Sequence, residues 1–287
     1  MPELSEVIIL VLTGLTAGWL GGLLGIGGAV VMIPILVMLG QPMHIAQAAA
    51  LTVTVFVAAP SALRHHKSGK VNWSLTLRMV PACIVGISIC VLVANHVEGR
   101  LLEALFGFFL IYVAWANIRK ITRKAQVDSG DQIRISWPIC TVIGAATGAG
   151  IGLLGIGGGL VTVPLVNKLC RTSLPVAIAC SAALMLLTAF IGAIMKDGTL
   201  HTLTDPDGSL RGLTWWTAVS ISLWLIPTAI IGAWIGAKMT HTLPLKTVRS
   251  VFIALVLVSA AKLLWSASHD TPTAYPTAAS PAAPDSQ

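Results

Sequence analysis

The stretch GGLLGIGGAVVMIPIL (residues 21–36) decides the fold, because the chain repeats it as GIGLLGIGGGLVTVPLV (residues 150–166). When residues 18–34 are aligned with residues 148–164, ten of the seventeen positions are identical, including the string GLLGIGG and the proline six residues after it. Clustered glycines reach backbone angles that are closed to other residues, so they can break a helix and reverse the chain. The repeat therefore predicts two helix breaks at equivalent places in two related halves.

The composition is that of a membrane protein. Of the 287 residues, 55% are hydrophobic and only 10% are charged, and the mean hydropathy is +0.86. A soluble domain carries about a quarter of charged residues. The net charge of +7 comes mainly from short loops between apolar runs, where basic residues orient membrane proteins. We therefore predict an all-α, polytopic membrane protein that contacts the lipid bilayer, and we expect no nucleic-acid binding.

Two of the apolar segments are too long for a single membrane crossing. The segments are residues 4–39, 45–63, 75–94, 101–118, 137–169, 174–195, 213–237 and 247–265. A continuous helix of about 35 residues would be about 50 Å long, whereas a bilayer core is about 30 Å thick. The two long segments carry the glycine-rich phrase, so we expect each to be a broken helix or hairpin, with about 8–10 membrane segments in total.

The charges of the loops agree with hairpins. If both long segments return to the side from which they enter, the basic loops all fall on one side, which is then cytoplasmic. Those loops are residues 64–70, 119–124, 168–171 and 238–249, whereas the less basic loops 95–100 and 196–211 lie outside. The two halves become inverted repeats, an architecture typical of transporters with broken helices.

This topology divides the chain into four regions. Residues 1–125 form membrane repeat 1, residues 126–136 a cytoplasmic linker, residues 137–266 membrane repeat 2 and residues 267–287 a tail. The tail is rich in Pro, Ala, Ser and Thr, a composition typical of disordered segments, so we expect it to be disordered.

The glycine-rich turns are the candidate binding site. A helix broken inside lipid exposes backbone groups that need protein, water or a ligand as partners. The first N–H groups of the returning arm lie at the positive end of its dipole, so they can bind an anion without a charged side chain. The candidates are Gly25, Gly27 and Gly28 in the first copy, Gly155, Gly157, Gly158 and Gly159 in the second, and the hydroxyl residues Thr162, Ser181 and Thr52.

Six other glycines are spaced for helix packing. Gly14, Gly18 and Gly22 recur every four residues, and so do Gly144, Gly148 and Gly152. This is the small-xxx-small pattern of close helix contact in membranes. We expect a structural role for these six residues.

The remaining polar residues predict no catalytic or metal site. The sequence has no Ser/His/Asp or Cys/His constellation, no HExxH and no CxxC, so we predict neither an enzyme nor a cofactor. Acidic residues lie away from the segment centres, unlike the carboxylate relays of proton pumps. His44 is placed in an interfacial turn, where it could also sense pH or contact an anion. Lys196 is placed in an external loop.

Taken together, the twin G-x-L-G-x-G-G motifs, each ending in proline, resemble the sulfite exporter TauE/SafE family, also called the toluene sulfonate uptake permease family. Each motif is followed by an Ala/Ser-rich helix and by a turn, at residues 69–71 and 198–200. The resemblance implies a multi-pass permease of the bacterial inner membrane for sulfite, sulfonates or sulfoacetate-like anions. It also leads us to expect a hydroxyl after each hairpin, but the first half has Ala50 where the second has Ser181, so Thr52 or Thr54 could take that role.

These observations lead to one main hypothesis and several alternatives. We predict a secondary transporter that moves a small, sulfur-containing anion by alternating access between two inverted halves. An anion channel with a fixed pore is the alternative, and a membrane enzyme or a scaffold fits the residues less well. A co-transported proton or cation is compatible with this mechanism. The direction of transport and the oligomeric state are left open by the sequence.

Overall fold

The computed structural model describes residues 4–24, 27–122, 135–203, 215–239 and 245–268. Almost all of the predicted linker 126–136 and of the tail 267–287 lies outside these ranges, and so does Gly25. The described residues form ten α-helices and one short 3-10 turn. In chain order the helices are α1 Leu4–Leu24, α2 Ala29–Met38, α3 Met43–Lys67, α4 Trp73–Asn95, α5 Gly99–Thr122, α6 Trp137–Leu154, α7 Gly159–Leu169, α8 Leu174–Thr199, α9 Trp215–Met239 and α10 Leu245–Ser268.

Both long apolar segments are broken where the sequence predicts. The first separates into α1 and α2 at the turn after Leu24, and the second into α6 and α7 at the turn after Leu154. The arms of the second hairpin run side by side, because the hydroxyls of Thr147 and Thr162 lie 2.9 Å apart across it. The return arms α2 and α7 have 10 and 11 residues, so each is about 15 Å long, roughly half of a bilayer core.

A proline lies at the same place in each return arm. Pro34 is the sixth residue of α2 and Pro164 the sixth residue of α7. A proline inside a helix lacks the N–H that would bond four residues back, so each arm loses one internal hydrogen bond. The proline therefore lies inside the return arm, at the same position in both halves.

The six regularly spaced glycines pack helix against helix, as predicted. A Cβ on Gly18 of α1 would lie 2.1 Å from the backbone oxygen of Ala229 in α9. A Cβ on Gly148 of α6 would lie 2.2 Å from the backbone oxygen of Cys83 in α4. No side chain fits at either crossing, so these glycines set how closely the two helix pairs approach.

The packing pairs are nearly unchanged when the two halves are exchanged. If α1–α5 are matched in order with α6–α10, the pair α1–α9 becomes α6–α4, and both pairs pack closely. The pairs α3–α8 and α5–α10 each join equivalent helices. The two halves therefore pack as related units, and their inversion across the membrane stays a prediction.

The helix lengths confirm an all-α, polytopic membrane protein. Within the described residues, seven helices are long and apolar enough to cross a membrane, and three shorter apolar helices accompany them. Helix α3 is the most buried of the seven, with 67% of its best membrane-length window inside the protein, and α8 follows with 56%. The interface between α3 and α8, here called the α3–α8 seam, therefore lies at the centre of the fold.

Candidate functional site

The two glycine-rich turns meet at the same two side chains of the α3–α8 seam. A Cβ on Gly27 would lie 3.3 Å from Cε of Met185 and 3.8 Å from Cγ2 of Thr54. A Cβ on Gly157 would lie 2.6 Å from Cγ2 of Thr54 and 3.1 Å from Sδ of Met185. Thr54 belongs to α3 and Met185 to α8, so the two turns converge on one point from the two halves.

The residues that lie at this meeting point occupy equivalent positions in the two halves. Gly27 and Gly157 are equivalent at the offset of 130 residues that aligns the two motifs. Thr54 and Met185 are equivalent at an offset of 131, which also aligns the start of α3 with the start of α8. The local symmetry of the molecule therefore passes through this meeting point.

Backbone donors begin the return arms at this point. Val31 and Met32 donate the first N–H bonds of α2, both to the oxygen of Gly28. Val161 and Thr162 do the same in α7, to the oxygen of Gly158. The N–H groups that precede these bonds have no acceptor within the helix. Gly158 donates its own N–H to the oxygen of Ile156, and neither Gly28 nor Gly158 has a side chain that could cap the first N–H groups of the arm that follows it.

The glycines of the turns are required for two different reasons. Gly27, Gly155 and Gly158 have φ values of +76°, +69° and +79°, which only glycine adopts readily. Gly157 does not have a positive φ, but its closeness to Thr54 leaves no room for a side chain. Gly28 and Gly159 lie at the junctions with the return arms, and both are buried.

Within the described residues, two buried polar atoms of the α3–α8 seam have no hydrogen-bond partner. Ser181 lies one helical turn before Met185 on α8, so both share a face, and its Oγ is buried without a hydrogen-bond partner. Gln47 of α3 donates from Nε2 to the oxygen of Leu153, 3.1 Å away, while its Oε1 is buried without a partner. Unpaired buried polar atoms are rare in folded proteins, so these two mark a polar locus at the seam.

The predicted hydroxyl residues occupy three different environments. Ser181 is on the seam, close to Met185. Thr162 bonds within the hairpin, to the Thr147 hydroxyl and to the oxygen of Gly158, both 2.9 Å away. Thr52 donates to Oδ2 of Asp197, 3.2 Å away, at the far end of α8. Thr54, which the sequence analysis considered beside Thr52, is the threonine that contacts the second turn.

The structure also brings together two ionisable residues that the sequence placed in loops. Both expectations were wrong: His44 is the second residue of α3, and Lys196 lies inside α8, which continues to Thr199. Each is 1% exposed, and Nζ of Lys196 lies 3.3 Å from Nδ1 of His44. The apolar run ends at Met195 because Lys196 is charged, although the helix continues. The spacing of eleven residues from Met185 to Lys196 would have placed them on one helix face.

The model of the family described as "Sulfite exporter TauE/SafE" matches residues 10–263. This chain belongs to the sulfite exporter TauE/SafE family. The match covers all of the described helices except the first residues of α1 and the last residues of α10. The family membership confirms the resemblance carried by the twin glycine motifs.

The relatives of this TauE/SafE chain are named as membrane transporters. It is 28% identical to a probable membrane transporter protein of Haemophilus influenzae, over 88% of this chain and 96% of the relative. It is 26% identical to the probable membrane transporter protein YunE of Bacillus subtilis, over 88% and 95%. It is 26% identical to the probable membrane transporter protein MamO of Paramagnetospirillum magneticum, over 92% of this chain. The chain spans only 45% of the length of MamO.

No solved structure matches the chain. The seven membrane-length helices of the described residues and the family membership make this chain a multi-pass membrane protein of the TauE/SafE family, whose relatives are named probable membrane transporter proteins.

Proposed function

We propose that this protein is a secondary transporter for a small, sulfur-containing anion and that the two glycine-rich turns form its central binding site. One observation carries the proposal: Gly27 and Gly157, from opposite halves, both lie beside the side chains of Thr54 and Met185. A site at the junction of two repeats, lined by broken helices, is the arrangement from which secondary transporters alternate their access.

The preference for an anion follows from the groups at the turns. Each return arm directs the positive end of its dipole and its first backbone N–H groups toward the turn. The side chains beside the turns, Thr54, Met185 and Gln47, are uncharged, and so is Ser181, one helical turn from Met185. The turns therefore offer hydrogen-bond donors to the oxygens of an anion without a carboxylate that would repel it.

The sulfur chemistry of the substrate rests on the family. The family description names sulfite export, and sulfite, sulfonates and sulfoacetate-like ions share a compact group of oxygens on sulfur. Two sets of backbone donors from opposite sides suit such a group better than a planar carboxylate. A bacterial inner membrane is the location that goes with this substrate class, and a proton or cation could accompany the anion.

Alternating access suits the buried position of the turns. Gly27, Gly28 and residues 155–159 are all buried, so this conformation encloses the site. In the proposed cycle, opposed movements of the two inverted halves open the site to each side in turn. An anion channel with a fixed pore is the second candidate, and it requires a continuous path past the turns in a single conformation.

Reconstituted protein distinguishes the two candidates. Proteoliposomes loaded with unlabelled sulfite should accelerate the entry of labelled sulfite, because a carrier exchanges its substrate across the membrane. Ohmic single-channel currents carried by sulfite, without such counterflow, would overturn the carrier.

A thermal-shift series with sulfite, thiosulfate, a sulfonate, a carboxylate and phosphate tests the substrate class, because a ligand stabilises the folded protein that binds it. Stabilisation by the carboxylate alone would contradict the proposed chemistry.

A further inference from the structure

The α3–α8 seam has a second polar locus, at the end where α3 begins and α8 finishes. It consists of His44 and Lys196, each 1% exposed, with Nζ of Lys196 3.3 Å from Nδ1 of His44. An ionisable side chain buried in a membrane protein is costly to place there and usually has a functional role. Nothing in the proposed function of the turns uses this pair.

Among the described residues, no carboxylate is in direct contact with Nζ of Lys196. In the part of the chain that the structure describes, the hydrogen bond of Nζ is to an imidazole nitrogen. The neighbouring carboxylate, Asp197, accepts instead from Thr52 through Oδ2, and its Oδ1 is buried without a partner. A buried ammonium without a paired charge is costly, and an anion in contact with Nζ would offset that cost, so Lys196 is suited to receive an anion.

Lys196 lies on the same face of α8 as Met185, which contacts the turns. Eleven residues separate Met185 from Lys196, which places Lys196 about 16 Å further along α8 and only about 20° around it. Ten residues separate His44 from Thr54 along α3, about 15 Å along the helix and about 80° around it, and Asp197, next to Lys196, bonds to Thr52 of the same helix. The two helices therefore carry two polar loci on one seam, one at the turns and one at its end.

Apolar side chains separate the two loci. Gly192 lies between Met185 and Lys196 on α8, and a Cβ there would lie 3.0 Å from Ile151 and 3.7 Å from Leu51. Leu51 and Ile151 are both fully buried. An anion moving along the seam would therefore rest at two separate positions with an apolar partition between them.

We propose that Lys196 and His44 form a second binding station for the transported oxyanion, at the end of the α3–α8 seam. The inference rests on the proposed function, because the ligand is the same small anion. The ammonium of Lys196 pairs with the anion, and His44 fixes the position of Nζ. The nearby carboxylate of Asp197 keeps the affinity moderate, which suits a station that must release its ligand.

The test separates this station from the turns by using a background in which the turn is disabled. Purified full-length G157A is titrated with sodium sulfite by calorimetry, and so are the double variants G157A/K196M, G157A/K196R and G157A/K262M. Lys262 is an exposed lysine of α10, so K262M removes the same charge elsewhere. We expect G157A and G157A/K262M to bind sulfite alike, G157A/K196R to bind within about threefold of G157A, and G157A/K196M to bind at least tenfold more weakly.

Equal sulfite binding by G157A and G157A/K196M would overturn the station, and so would a G157A protein that binds no sulfite while the wild type does. The single variant K196M gives a second measurement if the double variant does not fold: it should bind one sulfite fewer per chain than the wild type. Failure of the proposed function is a different result, in which the station binds sulfite but wild-type proteoliposomes move none.

Discussion

The two halves of the molecule have equivalent helices and helix breaks, but the side chains of their central helices, α3 and α8, differ. Both hairpins break at the same place, carry proline at the sixth position of the return arm and reach the same contact. Along the seam, however, Gln47 and Thr54 of α3 correspond to Ile178 and Met185 of α8. The two halves thus have the same glycines and proline at the helix break, whereas α3 and α8 carry different side chains along the seam.

The ends of the two central helices show the same difference. At the offset of 131 residues, Lys196 of α8 corresponds to His65 of α3. Lys196 is buried against His44, whereas His65 is only half-buried near the end of its helix. The counterpart of His44 is Pro175, whose side chain has no hydrogen-bonding group. A symmetric backbone therefore carries an asymmetric path, with an ionisable pair at one end of the seam.

The largest effect is expected at the two helix crossings, α1–α9 and α4–α6, which are equivalent in the two halves. Gly18→Ala and Gly148→Ala each place a Cβ within 2.2 Å of a backbone oxygen, so both should destabilise the fold by about 3 kcal/mol. Thermal denaturation in detergent measures the loss. Gly198→Ala is the control, because its Cβ meets nothing within 4 Å. A large loss in one half with tolerance in the other would break the equivalence of the two crossings.

The next effect concerns the second turn. Gly157→Ala should reduce sulfite uptake into proteoliposomes at least tenfold, because its Cβ would lie 2.6 Å from Cγ2 of Thr54. Thr54→Ser removes that methyl group and keeps the hydroxyl, so the double variant G157A/T54S should recover much of the uptake. Uptake by Gly157→Ala at the wild-type rate would argue against the turn as the site, and so would a double variant as inactive as the single one.

The equivalent change in the first turn should be milder and should respond differently. The Cβ of Gly27→Ala would meet the flexible Cε of Met185 at 3.3 Å, and its φ of +76° costs a residue with a side chain about 1–2 kcal/mol. We expect a severalfold loss of uptake that Thr54→Ser does not rescue, because Cγ2 of Thr54 is 3.8 Å away. If Thr54→Ser rescued both variants, the Thr54 methyl group would limit the space at the first turn as it does at the second, and the expected difference between the turns would be wrong.

The smallest effect probes a position that differs between the halves. Gln47→Leu removes the bond to the oxygen of Leu153 and should cost about 1 kcal/mol of stability. The equivalent change Ile178→Leu keeps an apolar residue and should leave the thermal midpoint within a degree or two of the wild type. An equal loss from both substitutions would mean that Gln47 stabilises the seam through packing alone.

The sequence predicted the parts of the fold that depend on glycine and on apolar length. Glycine clusters and helix lengths are local properties, so the hairpins and the packing glycines followed directly from the repeat. The α3–α8 seam did not, because no local pattern shows that Thr54 rather than Thr52 faces the second turn. Lys196 was misplaced for a related reason: a charge normally ends a membrane helix, and only the tertiary contact with His44 explains a buried one.

The side chain of Met185 links the movements of the two hairpins. The thioether of Met185 contacts the Gly27 turn and the Gly157 turn at once, and methionine adapts its shape through three rotatable bonds. A rotamer change of this single side chain therefore alters the packing of both hairpins together. We therefore expect the two hairpins to move together rather than independently, because both pack against Met185.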